Sequence, residues 1–223
     1  MKDNDLIERI RNAYLEARNP VLASTNIRRG TSRSISSITE DIFAKYVSDI
    51  VGNDFEVWID PQISVNGVMN ANKKRTLVIR PDIAIVRKCC FTIDMIFDLK
   101  MDLGYIRTTF SDHVKSRICD LNKIRGKSAR CRLLKNNKII NFNNNLNWNY
   151  VLFSDQNINT ADFQNVNNFF NGNQNAKLFV LMRGTHLNSY EDVNIGDRIS
   201  QNDFNNLRNE LQKLQVSAES GKA

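Results

Sequence analysis

PDIAIVRKCCFTIDMIFDLK, residues Pro81 to Lys100, is the stretch on which the reading of this chain turns. Two blocks of β-branched and aromatic residues, one around Ile83 to Val86 and one around Ile93 to Phe97, are parted by Lys88 to Phe91. That pattern predicts two strands, 82–87 and 93–100, joined as a hairpin. With the midpoint near Cys90, facing positions sum to 180, so Asp82 falls opposite Asp98 and Val86 opposite Asp94. Cross-strand partners have Cβ atoms about 5 Å apart. Positions 82, 98 and 100 are all even, and side chains alternate along a strand, so Asp82, Asp98 and Lys100 share a face. Two carboxylates this close repel unless a cation or a proton lies between them. Lys100 supplies part of that compensation.

Upstream, FEVWID, ISVNGV and RTLVIRP continue the strand pattern, with turns expected at Asp60-Pro61, Asn66-Gly67 and Asn70 to Lys74. The five segments together predict a mostly antiparallel meander. A first helix is expected from Asp5 to Arg18, stopped by Asn19-Pro20, followed by the surface loop TNIRRGTSRS. A second helix is expected to start within Ser34 to Ser37, with a serine cap, and to end at Gly52. Ile35, Ile38, Ile42, Tyr46 and Ile50 form its expected apolar stripe; a second stripe, Ala44, Val47 and Val51, is headed by the acid Glu40. Glu40 is either a helix-terminal charge that favours the dipole or a group aimed at a cation or an active site.

Downstream of Lys100, Ile106, Phe110, Val114, Ile118, Leu121 and Ile124 keep helical spacing to Gly126. Leu134 to Asn147 reads as a hairpin or loop, then come a strand at Trp148 to Ser154, a short helix at Thr160 to Phe170, a strand at Ala176 to Arg183 and a last helix from Asn202 to Leu214. The order implies an α/β (α+β) fold, a central mixed β-sheet flanked by helices, in one domain over 1–215 with a flexible tail at 216–223.

Charge narrows the function. The 223 residues carry 31 Lys plus Arg against 24 Asp plus Glu, a net charge of +7. The segment from Arg107 to Lys135 alone accounts for that +7, and the rest of the chain is neutral. A basic segment on a neutral body is the footprint of a polyanion binder, because neutralised phosphates release counterions. Its alternative is a solvated helix face followed by a basic loop. Four cysteines without metal-binding spacing exclude a structural zinc and read as small buried hydrophobes in a reducing compartment. The longest apolar run, LFVLM at 178 to 182, is strand-sized, far below the ~20 residues of a membrane helix. MKDNDLIERIR lacks the apolar core of a signal peptide, so no membrane association and a cytoplasmic location are expected.

The facing acids and the lysine suggest a chemistry. Hard oxygen ligands at this spacing suit Mg²⁺, which also takes phosphate oxygens. A bound metal lowers the pKa of water and offsets charge on a phosphate in flight, with the lysine orienting that water. Pro81-Asp82 and Asp98-Leu99-Lys100, on consecutive strands after a helix bearing Glu40, resemble the PD-(D/E)xK nuclease superfamily, best known for type II restriction endonucleases. The expected element order is also similar to that family's αβββαβ core, over about 34–183. The resemblance implies that Asp82 and Asp98 hold the metal, that Lys100 is the catalytic lysine and that Glu40 is the additional acid of some members. It implies Mg²⁺, with Mn²⁺ able to substitute, double-stranded DNA as substrate, and a homodimer where the target is a palindrome. The first and last helices are the candidate interfaces. Arg107, Lys115, Arg117, Lys123, Arg125 and Lys127 are the expected DNA contacts. The alternatives are a repair, recombination or mobile-element nuclease of the same fold, or a non-catalytic DNA-binding module. Asp94 shares the face of Asp98 and is read as a partner of Arg87 or Lys88 in preference to a further acid, Asp102 and Tyr105 as the start of the next helix in preference to a cleft rim, and His113 as a solvated or phosphate-contacting ring in preference to a general base. Arg28, Arg29, Arg33, Lys73, Lys74 and Arg75 are read as loop surface able to hold DNA strands.

Overall fold

A computed structural model describes residues 1–21, 29, 31–70, 73–102, 110–134, 136–156, 160–189 and 194–220. The central hairpin forms as β4 (Ile83–Arg87) and β5 (Thr92–Lys100), antiparallel. Ile83 pairs with Phe97, Ala84 with Ile96 and Ile85 with Met95, the expected register. Nearer the turn the register slips by one: Val86 faces Ile93, not Asp94, so Asp94 is the extra residue of a β-bulge. Its side chain is 2 % exposed and accepts from Arg87 Nε at 3.0 Å and Asn143 Nδ2 at 2.5 Å, the donors a buried carboxylate requires. The slip lies at the turn end, so parity survives at the Asp98 end.

The strands do not form a simple meander. β1 (Phe55–Ile59) pairs with β4, while β2 (Gln62–Asn70) and β3 (Lys73–Ile79) form an inserted hairpin. β2 runs through Asn66-Gly67 instead of turning there; Gly67 takes φ +70° at a bulge. β6 (Ser128–Leu133), which was not expected, joins β2 to β7 (Asn136–Leu152). β7 spans the Asn-rich stretch and the expected strand after it: its start pairs with β6, and its end runs parallel to β5 and to β8 (Leu178–Val180). The result is one eight-stranded mixed sheet.

Alternation along β4 and β5 divides the core. The odd positions Ile83, Ile85, Met95 and Phe97 face α1 (Asp3–Ala17), α2 (Ser36–Val51) and α5 (Gln201–Ser220). The even positions Ala84, Val86 and Ile96 face α3 (Phe110–Ile124), with Val166 and Phe170 of α4 (Thr160–Asn171) in the same cluster. In α2 the stripe differs from expectation: Thr39, Phe43, Tyr46, Val47 and Val51 are buried, while Ile38 is 45 % exposed. Phe43, the largest apolar side chain on the helix, sets that face by packing edge-on to Phe97 and Phe153. Ile35, not a serine, sits at the N-cap, without a side-chain cap. At the other end Gly52 takes φ +77°.

α5 continues to Ser220 through part of the expected tail, because no Gly or Pro interrupts it before Gly221. The buried faces of α1 and α5 are used within the chain, against α2, rather than left open for a second copy. Only Cys131 of the four cysteines is buried; Cys89, Cys90 and Cys119 are exposed, as their turn and helix-surface positions dictate. No helix among the described residues is long and apolar enough to cross a membrane.

Phe43 is fully buried. Phe43→Ala is expected to cost about 3–5 kcal/mol by transfer and cavity terms. Urea unfolding measures this, and a loss below about 1 kcal/mol would contradict the packing described.

Candidate active site

Asp82 follows Pro81 and precedes β4, its carbonyl accepting from the Asp60 amide at 2.9 Å. Because Ile83 pairs with Phe97, the next facing positions are Asp82 and Asp98. Asp82 Oδ2 accepts from the Leu99 amide at 2.5 Å, and the two carboxyl groups lie within hydrogen-bond reach of each other. Asp98 is 6 % exposed. Lys100 Nζ reaches Asp98 Oδ1 at 2.5 Å, the Leu99 carbonyl at 3.1 Å and Asp82 Oδ2 at 3.7 Å. Three oxygens thus surround one ammonium, on the face covered by α3.

Electrostatics separate the two acids. Burial pushes the Asp82 carboxyl up to about 7; the Asp98 charge and a hydrogen bond with Asp98 add to this, while Lys100 and the Leu99 amide oppose it. Burial pushes Asp98 in the same direction, but hydrogen bonds and charge from His113 and Lys100 outweigh it and hold Asp98 below its usual range. Near neutral pH the pair therefore holds one full negative charge on Asp98 and a partly retained proton on Asp82.

The oxygen donors suit a hard divalent cation. Mg²⁺ commonly uses one or two carboxylates and keeps several waters. Asp82, Asp98 and the Leu99 carbonyl converge where Lys100 Nζ now stands, so the ammonium stands in for the cation and would swing aside to admit it. Among the described residues no group of three His, Cys, Asp or Glu side chains closes on a shared centre, so water would fill the remaining positions.

Glu40 does not join this donor set. It sits half-buried on α2, on the opposite layer, with no hydrogen bond to Asp82, Asp98 or Lys100 among the described residues. Burial raises its carboxyl, as do Asp60 and Asp41, while Lys100 pulls it down, which places these charges within electrostatic range.

Two residues near the trio were not foreseen as site members. His113 Nε2 on α3 lies 3.4 Å from Asp98 Oδ2, so the ring faces the acid rather than solvent. Tyr150 pairs with Asp98 across the parallel β5–β7 ladder and is fully buried. Its hydroxyl has no partner among the described residues, and burial together with the Asp98 charge raises its pKa. Position 113 flanks the Phe110/Val114 stripe, which was a usable signal; Tyr150 had none, because its pairing with Asp98 is non-local.

The expected DNA contacts divide. Lys115 is exposed, with Asp112 at 3.7 Å, and Lys123 pairs with Asp120 at 3.4 Å. Arg117 stacks over Trp148 at 5.2 Å. Arg125 points inward, donating to the Leu146 carbonyl at 2.9 Å and to Asn175 Oδ1 at 2.8 Å. Lys127 is half-buried after Gly126. Arg107, Arg28 and Tyr105 lie outside the described residues. Asp94 bonds Arg87 as expected. Asp102 is buried against His186 Nε2 at 2.7 Å, while His186 Nδ1 accepts from the Asn188 amide at 2.9 Å. That pair borders a cleft of about 1500 Å³, lined also by Met101, Arg33, Ser34 and Ser36.

No protein-family model, curated protein or solved structure matches the chain significantly.

The raised Asp82 carboxyl has a sign-definite consequence. Its stabilising contribution is complete below about pH 3.8 and is lost as pH rises through about 7, since the unfolded chain gives up this proton first. Asp82→Asn keeps an acceptor for the Leu99 amide and removes the charge. At pH 8.5 it is expected to raise the unfolding midpoint by roughly 2–4 °C, about 1 kcal/mol, and to bring little gain at pH 4. Calorimetry at the two pH values checks this; a lower midpoint at pH 8.5 would contradict it.

Proposed function

We propose that this chain is a Mg²⁺-dependent DNA endonuclease of the PD-(D/E)xK superfamily, of the type II restriction kind. One observation carries the reading: Asp82, Asp98 and Lys100 converge on one point at the ends of two paired strands. The order α2, β1, β4, β5, α3, β7, with β5 parallel to β7, supports it as an αβββαβ core carrying the β2–β3 hairpin as an insertion.

When bound, Mg²⁺ supplies positive charge against that developing on the scissile phosphate and lowers the pKa of a bound water. Asp82 and Asp98 would hold it, and Asp82, whose carboxyl burial favours the protonated form, would have to be ionised to do so. Lys100, displaced from between them, offers its ammonium to the phosphate or to the attacking water, a charge-assisted contact that strengthens as the phosphorus becomes pentacoordinate. His113 keeps Asp98 ionised and oriented. Glu40 acts at longer range on the charge of Lys100. The products expected are a 5′-phosphate and a 3′-hydroxyl.

Supercoiled plasmid incubated with Mg²⁺ tests the reading. Wild type is expected to nick and linearise it, EDTA to stop it, and Lys100→Ala to slow it by about 10²–10³-fold, the usual loss when one transition-state charge contact is removed. Unchanged cutting by Lys100→Ala would overturn the assignment. Discrete fragments from linear duplex support the restriction type; cutting confined to flaps, junctions or single strands would replace it with a repair-type nuclease.

A further inference from the structure

The sequence holds no Asp or Glu between Asp60 and Asp82, and none between Asp120 and Asp155. The fold brings these two distant acid-free stretches together, as β2 and β3 from the first and β6 and the start of β7 from the second. The inner face of this four-stranded wing, Ile63, Val65, Ile79, Ala129, Cys131 and Ile140, packs in one cluster with Val114, Ile118 and Leu121 of α3. The outer face is exposed, and the register lays it out in rows. Arg132 lies between Gln62 and Asn137, and Arg130 between Ser64 and Ile139. Thr76 Oγ1 donates to Asn66 Oδ1 at 2.9 Å farther along the β2–β3 hairpin, beyond which Lys74 is exposed on the same face.

We propose that this outer face binds the sugar-phosphate backbone of duplex DNA, an inference that rests on the nuclease reading above. Charge complementarity carries it. Among the described residues the wing's one ion pair joins Lys138 to Glu56 at 3.9 Å, leaving Arg130, Arg132 and Lys74 without a carboxylate partner. Arg132 Nε makes only a local bond, to the Leu134 carbonyl at 3.1 Å. Uncompensated arginines beside Gln62, Ser64 and Asn137, in a row that also exposes Ile139 and Val78, match a surface that neutralises phosphates and bonds their oxygens. Single-strand binding needs exposed aromatic rings for bases to stack on. The wing's strand aromatic, Phe142, is 3 % exposed, which favours a duplex. The wing is also tied to the proposed site: β2 starts two residues after Asp60, whose amide bonds Asp82, and β3 ends three residues before Asp82. By contrast, Lys115, Arg117 and Lys123 of α3, and Arg125 just after it, are already engaged within the protein.

The test uses the full chain carrying Lys100→Ala, in EDTA, with a fluorescent 25-base-pair duplex and anisotropy across a range of KCl concentrations. Arg130→Ser with Arg132→Ser is expected to weaken binding roughly tenfold at 100 mM salt and to flatten the slope of log K against log salt by about 2, one unit for each phosphate no longer neutralised. Lys74→Glu, on a different strand, is expected to weaken it in the same sense, so a folding defect in one variant leaves the other as the test. Unchanged affinity and slope in both, or a matching loss in Lys115→Ser instead, would overturn the wing while wild-type plasmid cutting still stood. No duplex binding, or tighter binding of the single-stranded 25-mer, would also overturn it. Loss of duplex binding in the wing variants of a protein that never cuts DNA would keep the wing and reject the nuclease reading.

Discussion

Two carboxylates within hydrogen-bond reach of one another, with a lysine ammonium among their oxygens, are the constraint around which this fold is arranged. Like charges so close are costly, and the protein buries Asp98 while leaving Asp82 partly exposed. β5 is an interior strand, antiparallel to β4 on one side and parallel to β7 on the other, and helices cover both its faces. Burial of Asp98 follows from that position. The Leu99 amide, Lys100 and His113 then act on the two acids unequally, so that one stays ionised and the other tends to keep its proton. Lys100, the Leu99 amide and His113 thus hold the two acids together without any added cation.

The sheet supports the pair from several directions. Asp60, at the end of β1, fixes the Asp82 backbone, and Tyr150 on β7 places a buried ring and hydroxyl beside Asp98. α3 brings His113 over the same point while its Val114, Ile118 and Leu121 hold the β2–β3–β6 wing. Site and wing therefore share a helix and two chain connections. A change in α3 packing should be felt in both.

Much of this was legible in the sequence because the deciding features are local. The hairpin register followed from the length of Lys88 to Phe91 and from the Ile and Val spacing on either side, and it placed the acids and the lysine on one face. The bulge at Asp94 was not legible, since it depends on Asn143, a non-local partner. β1 was expected in a meander, yet it pairs with β4 because β2 finds its partner in β6, nearly seventy residues on. β6 carried the strand signal in plain form, Ala129, Cys131 and Leu133 alternating with Ser128, Arg130 and Arg132, but its charge drew the reading toward a basic loop. Glu40 shows the converse. Its position at the head of an apolar stripe was correctly odd, yet the helix that carries it packs on the other side of the sheet.

The chemistry proposed for Asp82, Asp98 and Lys100 requires that the oxygens around Lys100 accept a divalent cation. Titration of Mn²⁺ into the protein at pH 7.5, followed by calorimetry or by the electron paramagnetic resonance of the free ion, measures this without depending on any substrate. One ion bound per chain, with affinity reduced at least about tenfold in Asp98→Asn, is the predicted result. No binding at millimolar Mn²⁺, or equal binding by wild type and Asp98→Asn, would contradict it.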